Sequence, residues 1–202
     1  CRFSDMCNPM QLSICVPARE KVHTIFMKSL VDLTNRLTNL GIEWNLHIVS
    51  SSVICESRTQ LANQALESGA THLLWLDSDM YIPSNVIHLF SHDKDIVAGA
   101  YSTKHSPFQS VAFTDPTDMS KRLTAQTGLH KIWAVGMGCM LVRKEVFESL
   151  PKPWFAHEYN KILDTHSGED IYFCNQAMHH GFDTYIDTDL RLAHIGLKTN
   201  IL

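Results

Sequence analysis

The sequence has no C-x-x-C spacing, no long apolar run, no block of basic residues and no internal repeat. Each absence removes a class of protein. Its six cysteines, Cys1, Cys7, Cys15, Cys55, Cys139 and Cys174, stand singly, which argues against a zinc ribbon or a thioredoxin-type centre. Cys15, Cys139 and Cys174 sit in apolar runs and read as buried thiols. Unpaired thiols favour a reducing compartment, so the expected location is cytoplasmic. No stretch reaches the roughly 18–20 apolar residues of a membrane span; the best candidate, Ala134 to Val142, is short and carries two glycines. A net charge of -4 leaves no broad basic surface, so nucleic acid is not an expected partner. No signal peptide pattern opens the chain. It begins at Cys1, not Met, and is expected to be one domain, complete or cut from a longer protein.

What is present fits a globular α/β domain. The chain has 202 residues, 45% hydrophobic and 19% charged, enough for one sizeable core. Residues 1–11 read as a polar arm. Leu12 to Val16 is an apolar run stopped by Pro17, a buried first strand. From Glu20 to Leu40 the apolar residues recur in steps of three and four, one face of a helix, with Gly41 as terminator. Ile42, Trp44, Leu46 and Ile48 alternate with polar residues, the period of a strand. Ser57 to Ser68 is a second helix, with Leu61, Ala62, Ala65 and Leu66 inward. Thr71 to Leu76 is apolar almost throughout and suits a central strand covered on both faces. Ser84 is expected to cap a short helix, and Asp95 to Ala100 is a fourth strand. This strand–helix alternation predicts a mostly parallel sheet.

The second half is less regular. Residues 101–128 read as a long loop with one short strand, Ser110 to Phe113. Lys131 to Val135 and Cys139 to Val142 are strands separated by Gly136-Met137-Gly138. Lys144 to Leu150 is a short helix, 154–167 a loop, Glu169 to His180 a helix, and Thr184 to Ile186 and Arg191 to His194 late strands. Nothing marks a second domain.

Asp77-Ser78-Asp79 directly follows the apolar strand. Ligands of open α/β sheets sit at the carboxyl ends of strands. Two carboxylates two residues apart there are suited to one hard cation, and Mg²⁺ and Mn²⁺ take such oxygens together with substrate phosphates. The bland alternative is a solvated turn that caps the next helix. Glu169-Asp170 opens a helix, where acids are favoured by the positive helix end alone.

The segment THLLWLDSDMYIPSNVIHLF resembles the D-x-D segment of GT-A-fold glycosyltransferases, especially the family-2-like ones, and the style is similar to glycosyltransferases of large DNA viruses and phages. ICVPARE resembles the first strand and nucleotide-binding loop of that family. ESRTQLANQALESGATH, DIVAGAYSTKHSP, GMGCMLVRKEVFESLPKPWF and SGEDIYFCNQAMHHGFDTYID resemble its later segments, in the family's order over roughly residues 12–195. The resemblance implies a GT-A-like three-layer α/β/α sandwich with a mostly parallel central sheet. It implies a nucleotide-binding half at 12–100 and an acceptor-binding half at 101–202.

It also implies a metal-dependent inverting transfer from a nucleotide-sugar donor, by prevalence a UDP-sugar, to a glycan or other hydroxyl acceptor, with Mn²⁺ or Mg²⁺ as cofactor. Asp79, Asp77 and His194 would hold the metal, with His166 competing for the third place. Asp170 would be the general base and Glu169 its acidic neighbour. Pro17, Ala18, Arg19, Ser78, Arg58, Lys104 and Gly138 would face the nucleotide sugar. Arg58 also reads as a surface ion pair, and the glycines as a plain turn. Trp154 and Trp133 are candidates to stack on acceptor sugars, whereas Trp75 reads as core. Two rivals remain. A sugar-phosphate nucleotidyltransferase would want a Gly-rich loop where this chain has Pro17-Ala18-Arg19. A non-catalytic carbohydrate-binding relative would have no need of both acidic motifs.

Overall fold

A computed structural model describes residues 10–124, 127–161 and 164–195. Most of the expected N-terminal arm, Cys1 and Cys7 included, lies outside the described residues. The first half alternates as its periodicity predicts: β1 (Gln11–Ala18), α1 (Thr24–Asn39), β2 (Glu43–Ser50), α2 (Ile54–Glu67), β3 (His72–Leu76), β4 (Met80–Tyr81), a 3₁₀ helix (Ser84–His92) and β5 (Ile96–Ala100). Then follow β6 (Ala112–Phe113), β7 (Leu129–Ile132), β8 (Ala134–Val135), β9 (Cys139–Arg143), α3 (Lys144–Ser149), β10 (Glu158–Asn160), β11 (Thr165–Ser167), α4 (Glu169–His179), β12 (Thr184–Arg191) and β13 (Ala193–His194).

Seven strands form the main sheet in the order β2-β1-β3-β9-β5-β12-β7. β2, β1 and β3 run parallel, as do β5 and β12. β9 is antiparallel to both β3 and β5 and separates them, and β7 is antiparallel to β12. Successive side chains of a strand point to opposite faces, which divides the core in two. On one face Cys15, Leu73, Trp75 and Met140 pack with Leu61, Ala62 and Ala65 of α2, Phe147 of α3 and Phe173 of α4. On the other, Leu12, Ile14, Val16, Leu74 and Leu76 pack with Phe26, Leu30, Leu33 and Leu37 of α1 and Val86 and Leu89 of the 3₁₀ helix. β3 contributes to both, so its nearly continuous apolar run is explained by two covered faces. The result is a three-layer α/β/α sandwich.

Several boundaries differ from the sequence expectation. α1 starts at Thr24, not Glu20; Val22 packs on the core from the preceding loop, which is why its spacing mimicked helix. Pro83, not Ser84, precedes the 3₁₀ helix, with no side-chain cap bond. The expected strand Lys131 to Val135 is two strands: β7 pairs with β12, while β8 leaves the main sheet to pair with β6. The expected loop 154–167 contains the β10–β11 hairpin. The late strand runs unbroken to Arg191 through a bulge, whose main chain is held by Asp187 Oδ1 accepting from the Asp189 and Leu190 amides at 2.9 and 3.3 Å.

Candidate active site

Because β1, β2 and β3 are parallel and adjacent, their carboxyl ends share one rim of the sheet. Pro17 and Ala18 end β1, with Arg19 beyond; Ser51 and Ser52 follow β2, and Asp77-Ser78-Asp79 follows β3. The N-terminal part of α2 and the first turn of α4 bring Arg58, Glu169 and Asp170 to the same rim. Among them lies a cleft of about 550 Å³, whose walls include Pro17, Ala18, Arg19, His23, Ser52, Arg58, Asp77, Ser78, Asp79, Lys104 and Glu169. It adjoins a second hollow, of about 750 Å³, through the shared residues Arg19, Lys21, Ser51 and Ser52. The Ala18 carbonyl accepts from the Ser51 amide at 3.2 Å, and the Arg19 carbonyl from Ser50 Oγ at 3.1 Å.

The charges in the cleft are paired in an unequal way. Arg58 is 3% exposed. Its Nη2 donates to Asp77 Oδ1 at 3.0 Å and its Nε to Glu169 Oε1 at 3.1 Å. It is therefore a buried cation joining the two acidic motifs, and the surface-ion-pair alternative falls. Burial works against its charge, and the Asp77, Glu169 and Asp170 charges outweigh that and raise its proton affinity. Its carbon sits 5.8 Å from the centre of the Trp75 ring, a cation–π contact. Arg58 Nη1 and Trp75 Nε1 are both buried with no hydrogen-bond partner among the described residues. Asp79 has a different counter-ion: Lys104 Nζ donates to its Oδ2 at 2.8 Å, and that ammonium side chain is 41% exposed.

Four carboxylates, Asp77, Asp79, Glu169 and Asp170, thus meet two cations. The excess is felt. Burial, with the Asp79 and Glu169 charges, pushes the Asp77 carboxyl up despite Arg58. Burial and the Glu169 charge push Asp170 up to about 6, and one of its oxygens accepts the Ile171 amide at 2.8 Å. A carboxylate with that affinity for protons is suited to general-base work near neutrality.

Behind the acidic strand end lies a residue that sequence reasoning missed. Tyr101, first after β5, is buried, and its hydroxyl accepts the Gly138 amide at 2.8 Å. Gly138 in turn accepts the Asp77 amide on its carbonyl at 3.0 Å. A Cβ on Gly136 would stand 2.3 Å from the Tyr101 hydroxyl, and one on Gly138 2.8 Å. The close approach that both glycines permit is to this ring. Gly138 is buried beneath Asp77 and is no part of the cleft wall, which corrects the expectation that it faces the donor sugar.

His194 is brought to Asp79 through the chain. β13 pairs with β4 so that His194 lies opposite Met80, and the Ile195 amide donates to the Asp79 carbonyl at 2.6 Å. Its Nδ1 lies 2.8 Å from the Ser102 carbonyl. A carbonyl only accepts, so Nδ1 carries a proton there, and Nε2 is the ring nitrogen left for a metal. His166 lies instead on β11, its ring against Tyr159. Among the described residues no three His, Cys, Asp or Glu side chains are gathered closely enough to hold a metal. By chemistry the donor types suit a hard divalent cation, carboxylate oxygens of Asp77 and Asp79 with an imidazole.

The two candidate stacking residues are elsewhere. Trp154 is buried against Phe147, with ring centres 5.3 Å apart and its Nε1 donating to the Leu150 carbonyl. Trp133 is buried edge-on to Phe113. Their large apolar rings contribute more in the core than on a wet rim, so neither is presented to a sugar. Trp75 is core, as expected.

No protein-family model and no curated protein matches the sequence. Solved structures do match. The crystal structure of A197 from STIV is similar at 20% identity over 92% of this chain and 85% of that one, with a TM-score of 0.61. A mutant of Drosophila β1,4-galactosyltransferase 7, in complex with manganese, UDP-Gal and xylobiose, is similar at 12% identity over 93% and 71%, with a TM-score of 0.55. The fold is GT-A-like. UDP-glucose pyrophosphorylase complexed with UDP-glucose shares it at 8% identity over 95% and 92%, with a TM-score of 0.53. At these identities the likeness extends to architecture alone, so the chemistry must be argued from the side chains.

Proposed function

We propose that this chain is a metal-dependent inverting glycosyltransferase that moves a sugar from a UDP-sugar to a hydroxyl of a glycan or other acceptor. The observation that carries the reading is the convergence of Asp77, Asp79, Glu169, Arg58 and Lys104 on one cleft at the sheet rim, with Asp170 beside them. The nucleotide lies over residues 12–100, against Pro17, Ala18 and Arg19, and the acceptor over 101–202. Asp79, Asp77 and His194 would hold Mn²⁺ or Mg²⁺, which when bound neutralises negative charge on the departing diphosphate. Arg58 keeps Asp77 and Glu169 in place from beneath. Asp170 takes the proton of the acceptor hydroxyl as that oxygen attacks the anomeric carbon from the face opposite the leaving group.

A nucleotidyltransferase shares the architecture, but Pro17-Ala18-Arg19 replaces the Gly-rich loop such an enzyme would use, and a carboxylate poised near 6 suits removal of a hydroxyl proton. The test is release of UDP from UDP-sugars with an acceptor mixture, run beside release of pyrophosphate from UTP and sugar 1-phosphates. UDP release that EDTA, Asp79→Ala and Asp170→Asn each cut by about a hundredfold or more is the expected outcome. Pyrophosphate release, or full turnover by either variant, overturns the assignment.

A further inference from the structure

The two acidic side chains at the end of β3 have counter-ions of opposite character. Arg58 is enclosed, ties Asp77 to Glu169 and cannot leave without stranding both. Lys104 comes from the loop after β5, is 41% exposed, and holds Asp79 by one contact of 2.8 Å. An exposed ammonium–carboxylate pair is weak and exchangeable, and a lysine is a compact charge on a flexible stem. Lys104 and a divalent cation would therefore compete for the Asp79 carboxylate. A metal arriving alone must displace the ammonium into water. A metal arriving with a diphosphate brings an anion to which the ammonium can turn, since Lys104 and Asp79 line one cleft.

We propose that Lys104 couples cation and nucleotide binding: it weakens binding of the bare metal at Asp79 and strengthens binding of the diphosphate once the metal has taken its place. The inference rests on the nucleotide-sugar reading of the cleft. Lys104 is a binding residue in this scheme, held by Asp79 before the metal arrives and by the diphosphate afterwards. Because coupling is reciprocal, UDP should tighten Mn²⁺ and Mn²⁺ should tighten UDP by the same factor.

The experiment measures free Mn²⁺ by electron paramagnetic resonance during titration of the protein, with and without saturating UDP. In the wild type UDP should tighten Mn²⁺ by about fivefold or more. Lys104→Met should bind Mn²⁺ tighter than wild type without UDP and lose most of the tightening by UDP. Lys104→Arg, which keeps the charge, should retain it. On an Asp79→Asn background, Lys104→Met should no longer tighten Mn²⁺ in the absence of UDP. A Lys104→Met protein with wild-type Mn²⁺ affinity and wild-type enhancement by UDP overturns the inference and leaves the site reading standing. A wild type that binds neither Mn²⁺ nor UDP removes the reading beneath it.

Discussion

Ionising Asp170 adds a negative charge beside Glu169 and Asp77, with Arg58 as the shared counter-ion. Its carboxyl is raised from 3.8 to about 6, so the ionised form is disfavoured in the fold. A group with a raised folded value helps stability below the unfolded value and loses that help as pH rises through the folded one. Asp170→Asn should thus unfold at higher urea than wild type at pH 8, with the advantage fading between about pH 6 and pH 4. At about 1.4 kcal/mol per pH unit the interval caps the gain at roughly 3 kcal/mol. In active protein the same titration should place the acid limb of kcat/KM near pH 6, since that parameter reports the free enzyme. Arg58→Met should act oppositely. It leaves Asp77 and Glu169 without their cation, a loss of about 3–5 kcal/mol at pH 7. Urea unfolding should find that loss smaller at lower pH, where the Asp77 carboxyl, already pushed up by burial, takes up a proton. Arg58 was readable in the sequence: it stands in helical register with Leu61, Ala62 and Ala65, on the stripe that faces the core. Its charge drew attention to solvent, and only the fold supplies the acids that make its burial tolerable.

At the scale of elements, the Gly136-Met137-Gly138 turn is shaped by a ring from the residue that follows β5. Gly136→Ala should cost about 1–3 kcal/mol by crowding the Tyr101 hydroxyl. Tyr101→Phe should cost about 1 kcal/mol by leaving the Gly138 amide without its acceptor. The double variant should lose less than the sum, because removing the hydroxyl also removes the nearest clash; additivity in urea melts would show that the turn is set by something else. This contact explains where sequence reading stopped. The helix and strand periods up to Ala100 depend on neighbours in the chain, and they gave the alternation and put the acidic motif at a strand end. The place of β9 between β3 and β5, the departure of β8 to pair with β6, and the approach of Tyr101 to two glycines are pairings across long stretches of chain. No local pattern encodes them. Trp133, expected on the strand Lys131 to Val135, and Trp154, expected in the loop 154–167, were offered to a sugar for a related reason: only the packing of Phe113 and Phe147 against them shows that they are core.

At the scale of the whole molecule, the cleft lies on the rim between two apolar cores and draws its walls from β1, β2, β3, α2, α4 and the Lys104 loop. Segments 169 and 58 meet there only when the sandwich is closed, so a ligand of this cleft has no binding partner in the unfolded chain. Binding to the native state alone must then raise the unfolding free energy, by about 2.7 kcal/mol at a hundredfold excess over Kd. For a chain of this size each kcal/mol moves Tm by roughly 2–4 °C. UDP with Mn²⁺ should raise Tm by about 5–11 °C, and either alone by much less. Asp79→Ala should lose the joint effect while melting near the wild-type temperature without ligand, because Asp79 is partly exposed and its partner Lys104 is free to enter water. GDP and dTDP in the same series rank the nucleotide. A Tm unmoved by every nucleoside diphosphate with Mn²⁺ would mean that the rim cleft, whatever its charges, does not hold a diphosphate.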